Sequence, residues 1–68
     1  MTATYKFSTN TVQKTKEVVR AAKELDLQLF YRCNKHLHRV EFELETDAYG
    51  INQMNALLKA YRSARANG

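Results

Sequence analysis

Between Leu27 and Leu44 the chain carries two runs of alternating apolar and polar residues, joined by the polar segment Asn34-Lys35-His36. In the first run Leu27, Leu29, Tyr31 and Cys33 fall on one side, with Gln28, Phe30 and Arg32 on the other. In the second, His38, Val40, Phe42 and Leu44 alternate with Leu37, Arg39, Glu41, Glu43 and Glu45. A period of two belongs to strands with one buried face, so the stretch predicts a β-hairpin. Both apolar sets must point the same way, which sets odd positions of the first strand opposite even positions of the second. Two registers meet that condition. A two-residue Asn34-Lys35 turn pairs Cys33 with His36 and Leu29 with Val40, and suits Asn at a position of positive φ. A four-residue loop pairs Cys33 with His38, Leu29 with Phe42 and Leu27 with Leu44, and matches the apolar ends better.

Upstream, Thr4 to Ser8 alternates with Tyr5 and Phe7 on one side, which predicts a short first strand. Ser8-Thr9-Asn10-Thr11 then supplies N-cap oxygens for a helix from Val12 to about Leu25. Val12, Val18, Val19, Ala22 and Leu25 form its apolar stripe, and Gln13, Glu17, Arg20 and Glu24 fill the opposite side. Lys16, Arg20 and Lys23 make a basic line along the border of that stripe. Arg20 with Glu24 and Lys14 with Glu17 stand at pairing distance along the helix. Asp26 breaks the helix before the hairpin.

After the hairpin, Thr46-Asp47 offers a cap for a second helix from about Ala48 to Ala64, with Ile51, Met54, Leu57, Leu58 and Tyr61 on one stripe. Gly50 falls near that stripe, where glycine costs about 1 kcal/mol of helix propensity relative to alanine. Its presence predicts a close backbone approach or a helix start displaced to Ile51. Tyr49, Gln53, Ala56, Ala60 and Ser63 form an uncharged flank. Small residues there suit packing against Ala21 and Ala22 of the first helix; the other reading is a contact surface for another chain. Lys59, Arg62 and Arg65 suit the helix C-terminal dipole, and the last residues from Ala66 are expected to fray.

The order β-α-β-β-α, with both helices on one face of an antiparallel sheet, predicts an α+β fold of strand order 1-3-2. This is the ferredoxin-like arrangement lacking its last strand. It leaves one sheet face open and two strand edges unpaired, so a homodimer has a physical motive.

Composition changes this picture only a little. At 68 residues, with 44% hydrophobic and 26% charged, the chain reads as a single small domain spanning residues 1–68. A net charge of +4 and a pI near 9.5 favour anionic partners modestly. One cysteine permits no internal disulfide, and no secretory or membrane-spanning pattern is apparent, so a cytoplasmic location without membrane contact is expected.

Candidate chemistry gathers at the hairpin tip, where Cys33, His36 and His38 are potential zinc or copper ligands. A closed zinc site needs a fourth ligand that the tip lacks, so no metal or other cofactor is assigned. A Cys-His nucleophilic reading lacks an orienting group, an oxyanion hole and a cleft, and no enzymatic activity is expected. Nucleic-acid binding would use Lys16, Arg20, Lys23, Arg32 and Arg39. Against it, the open face offers only the one aromatic Phe30, and Glu41, Glu43 and Glu45 share that face. The preferred expectation is a protein-interaction module: a regulator, inhibitor or assembly subunit, a profile met among phage and mobile-element inhibitors. Its expected contact residues are Phe30, Arg32, Leu37 and Arg39 on the open sheet, with Tyr49, Gln53 and Ala56 as a second patch.

Overall fold

Strand β3 (Arg39–Thr46) is the axis of the structure, because it is hydrogen-bonded on both sides, to β1 (Ala3–Thr9) and to β2 (Gln28–Asn34). The computed structural model describes residues 1–67 and gives the element order β1-α1-β2-β3-α2, with helices α1 (Val12–Glu24) and α2 (Ala48–Asn67). All strand pairs are antiparallel and the sheet order is β1-β3-β2, as the sequence predicts.

The register follows the parity argument but matches neither predicted pairing. Cys33 stands opposite Val40, Leu29 opposite Leu44 and Asn34 opposite Arg39, so the turn is Lys35 to His38. Two local features set this loop, which has four residues like the longer predicted one but lies one residue further along the chain. Asn34 uses its side chain, not its backbone, to make the turn: Oδ1 accepts the Leu37 N–H at 3.1 Å. His38 then takes a left-handed φ of 50°, so it closes the loop instead of opening a strand. The register is also the one that aligns Phe7, Phe42 and Tyr31 in a row across three strands. The Phe7 and Phe42 rings stack with centroids 5.3 Å apart, and Tyr31 lies 6.0 Å from Phe42. Such pairs contribute about 0.5–1.5 kcal/mol each beyond burial.

Thr11 caps α1, its Oγ1 accepting from the Lys14 N–H at 3.2 Å. The helix ends in a Schellman turn: the Leu27 N–H donates to Ala22 O and the Asp26 N–H to Lys23 O. Asp26 occupies the left-handed position at φ 54°, which turns the chain directly into β2. Asp47 precedes helix α2 and caps it, its Oδ1 accepting the Gly50 N–H at 2.8 Å, and the helix continues past the predicted end at Ala64 to Asn67. Gly68 lies outside the described residues.

The core lies between one sheet face and both helices: Val18, Ala21 and Ala22 of α1, Phe42 and Leu44 of β3, and Met54 of α2 are all buried. Tyr5, Phe7, Leu29, Ile51, Leu57, Leu58 and Tyr61 pack around them. Val12 belongs to the predicted stripe yet is 73% exposed, because α1 starts beyond the edge of its cover. The predicted packing of the α2 flank against α1 does not form: Tyr49, Gln53, Ala56, Ala60 and Ser63 are all exposed. Leu57, Leu58 and Tyr61 of the predicted stripe do pack against the core.

Gly50 confirms the close-approach reading. A Cβ at this position would fall on Thr46 Oγ1, with Thr46 Cβ only 3.0 Å away. Thr46 is itself buried at 6% exposure and closes the seam between the end of β3 and the first turn of α2. Helix propensity alone makes Gly50→Ala stabilising by about 1 kcal/mol, whereas overpacking costs about 1–3 kcal/mol. We expect overpacking to win, lowering the urea midpoint, and Thr46→Ala in the same chain to restore part of the loss. A Gly50→Ala variant more stable than the parent would refute this account of the seam.

Candidate functional site

The face of the sheet turned away from the helices is laid out by the two registers. Its rows run Ser8, Glu41, Arg32; then Lys6, Glu43, Phe30; then Thr4, Glu45, Gln28. A column of carboxylates therefore runs down the middle strand, flanked by neutral and basic residues on both sides. A shallow concavity of about 570 Å³ lies over the first two rows, bordered by Lys6, Ser8, Phe30, Arg32, Glu41 and Glu43. Phe30 is 48% exposed at its margin.

The three glutamates are not equivalent. Glu41 is held by Asn34 Nδ2 at 3.2 Å, by Arg39 Nη2 at 3.4 Å and more loosely by Arg32 Nε at 3.8 Å. The Asn34 hydrogen bond, ahead of the Arg39 and Arg32 charges, holds its carboxyl below the ordinary value against an opposing desolvation. Among the described residues Glu43 and Glu45 form no ion pair. The Arg32 side chain is 84% exposed despite its contact with Glu41, so its guanidinium is largely available.

Of the predicted contact residues, the structure brings Phe30, Arg32 and Arg39 together on this face. Leu37 does not join them in the sheet; it belongs to the turn after Asn34, because strand β3 begins only at Arg39. It is 55% exposed there. Tyr49, Gln53 and Ala56 lie on α2, in the helical layer on the other side of the sheet, and Gln53 Nε2 donates to Tyr49 Oη at 3.1 Å.

The five residues proposed for nucleic acid divide between two surfaces. Lys16, Arg20 and Lys23 are on α1, whereas Arg32 and Arg39 lie across the sheet beside Glu41. Arg20 is moreover engaged, pairing with Glu24 at 3.2 Å and lying 4.9 Å over the Tyr61 ring. Tyr61 Oη donates to the other Glu24 oxygen at 2.8 Å, which is the main reason the Glu24 carboxyl sits below its ordinary value. Glu17 pairs not with Lys14 but with Arg65, at 2.9 Å.

At the hairpin tip Cys33 is exposed and unpaired, and His36 and His38 are exposed in the turn. Among the described residues no three His, Cys, Asp or Glu side chains are placed to hold a metal ion. No helix among the described residues is long and apolar enough to cross a membrane.

Two features of these surfaces escape pattern reading. Tyr31 and Cys33 share the parity of the core residues, yet Tyr31 is 62% exposed, because the helices cover β2 only near Leu29. Asn34 organises both the turn and Glu41, a double role that only the register reveals. Family models, curated proteins and solved structures yield no match to the chain, so function is argued from these surfaces alone.

Because Glu41 titrates lower in the folded chain than unfolded, its contribution to stability is present above the unfolded carboxylate range. That contribution fades as pH falls through the lowered folded value. With the Asn34 hydrogen bond as the largest cause, Asn34→Ala should move the Glu41 titration up towards the ordinary value, read by carboxyl ¹³C shifts. Arg32→Gln should move it less; the opposite ranking would show that charge, not the hydrogen bond, governs this carboxylate.

Proposed function

We propose that this chain is a non-enzymatic protein-interaction module, working in the cytoplasm as a regulator, inhibitor or assembly subunit of a larger partner. The observation that carries the reading is the open sheet face: an exposed aromatic, Phe30, set in a shallow concavity among charges of both signs. A protein surface can match such a mosaic, with an apolar group against Phe30, an acidic group on Arg32 and a basic group on Glu43. A phosphate backbone cannot, since the central column would meet it with the carboxylates of Glu43 and Glu45, which have no ion pair among the described residues. The single Cys33 requires no oxidising compartment, which supports the cytoplasmic assignment.

A second reading is favoured by a different surface. The helices carry seven Lys and Arg side chains against two Glu, and Glu17 and Glu24 are taken up by Arg65 and Arg20. Lys14, Lys16, Lys23, Lys59 and Arg62 thus remain without a carboxylate partner among the described residues. Nucleic acid would dock there, on the helical layer, not on the sheet.

Affinity capture from the source cell, with and without nuclease, separates the two. Protein interaction predicts a partner retained after nuclease and weakened about 5- to 30-fold in affinity when Phe30→Ala removes an anchor worth about 1–2 kcal/mol. Binding to oligonucleotides that survives Phe30→Ala, falls steeply with salt and weakens in Lys14→Gln/Lys59→Gln would transfer the function to the helical layer.

A further inference from the structure

We infer that the free edge of β2 is the joint between two copies of this chain, which pair antiparallel about Tyr31 into a continuous six-stranded sheet. The inference concerns the edge of the sheet, draws on Phe30 and Arg32 where that edge borders the open face, and is read by self-association alone, so its failure leaves the proposed partner untouched.

The two sheet edges differ in how they guard against pairing. Strand β1 carries Lys6 at its middle, so two copies of Ala3–Thr9 joined about their centres would set Lys6 against Lys6. Strand β2 lacks that defence. Gln28–Asn34 contains no proline and pairs with β3 without a bulge, and its middle residue is Tyr31. A two-fold axis through Tyr31 is the register that uses all seven residues of the strand, with Gln28 opposite Asn34 of the second copy. Moving the axis to Arg32 opposes like charges, and moving it to Phe30 runs the pairing into Asp26 and its left-handed turn.

That register satisfies both faces. On the helical side it sets Tyr31 against Tyr31 and Leu29 against Cys33 of the second copy. Of these core-parity positions the helices leave two uncovered, Tyr31 at 62% exposure and Cys33, which is exposed. On the open side it sets Phe30 opposite Arg32 of the second copy, twice by symmetry. Arg32 is 84% exposed and only loosely held at 3.8 Å from Glu41, so it is free to lie over the Phe30 ring. Beyond that ring stands Glu43, opposite Phe30 on β3 and without an ion pair among the described residues. The exposed aromatic, the underused cation and the unpaired carboxylate of one row thus complete one another across the axis. Because the axis is perpendicular to the sheet, all four helices stay on one side and the open face is doubled. A single strand pair is a small contact, so the dimer is expected to exchange with monomer in the micromolar range.

Sedimentation equilibrium of the full chain up to about 1 mM should show reversible dimer. Tyr31→Lys, which sets two lysines on the axis, should raise the dimer dissociation constant roughly tenfold or more with unchanged circular dichroism. Lys6→Ala should leave it unchanged. Independently, Tyr31→Cys in a Cys33→Ser background should oxidise to a covalent dimer, whereas Ser8→Cys in the same background should not. A parent chain that stays monomeric throughout, or equal cross-linking at both positions, would overturn the inference.

Discussion

Strand β3 faces two environments at once, and its alternation leaves no freedom over which residue meets which. Phe42, Leu44 and Thr46 point into the core, while Glu41, Glu43 and Glu45 point away. A slip by one residue would bury three carboxylates and expose the largest buried side chains of the core, a cost far beyond what a small domain can absorb. Since β3 is bonded on both sides, this choice propagates: it fixes the face of β1 that receives Phe7 and the face of β2 that receives Leu29. It also fixes the helical layer. Thr46 ends the buried series, and Gly50 lies against it, so the end of β3 and the first turn of α2 share one seam.

The cover over that face is uneven, and the unevenness generates most of the surface features. Helix α1 contributes a narrow contact built on Val18, Ala21 and Ala22, and alanine lets the helix approach closely at the cost of reach. Met54 fills the centre from α2. The part of the sheet nearest the hairpin turn has no such cover, so Tyr31 emerges there. A chain of 68 residues buries only about 60% of the surface its unfolded form exposes, and some core-parity positions must stay wet. In this molecule they lie on the edge strand β2, beside the turn.

Much of this was legible in the pattern of residues. Alternation located the strands, and the helical stripes located Met54, Leu57 and Tyr61, because periodicity depends only on which side of one element is dry. Gly50 signalled either a close approach or a later helix start, and the helix beginning at Ala48 with Thr46 against Gly50 decides for the close approach. The hairpin register was not legible beyond its parity, since every step of two residues preserves the faces. It was decided by terms that sequence spacing does not rank: the Asn34 side chain accepting from Leu37, the left-handed His38, and the aromatic row through Phe42. Exposure of Val12 and Tyr31 was equally hidden, because it depends on where one element ends relative to another. The candidate contact residues inherit the same split. Phe30, Arg32 and Arg39 share a face by alternation, whereas Leu37 was displaced into the turn by the register.

Net charge is a poor guide to this surface, because the two layers carry different balances. Helix α2 contains Lys59, Arg62 and Arg65 and no acidic residue, and α1 adds four cations against Glu17 and Glu24. Both of those glutamates are committed to arginine, so the excess cations are lysines and Arg62. The strands and turns, by contrast, carry Lys6, Arg32, Lys35 and Arg39 against the three glutamates of β3 and Asp26 and Asp47, a slight negative balance. A total of +4 thus averages a basic layer and a mixed one separated by the sheet. At a screening length of about 8 Å in physiological salt, a partner on one side of the sheet scarcely feels the charges on the other. Each face must be weighed by its own neighbours. On the open face those neighbours are Phe30, Arg32 and Glu43, an apolar group between opposite charges, which is chemistry for matching a shaped and patterned surface, not for neutralising a uniform one.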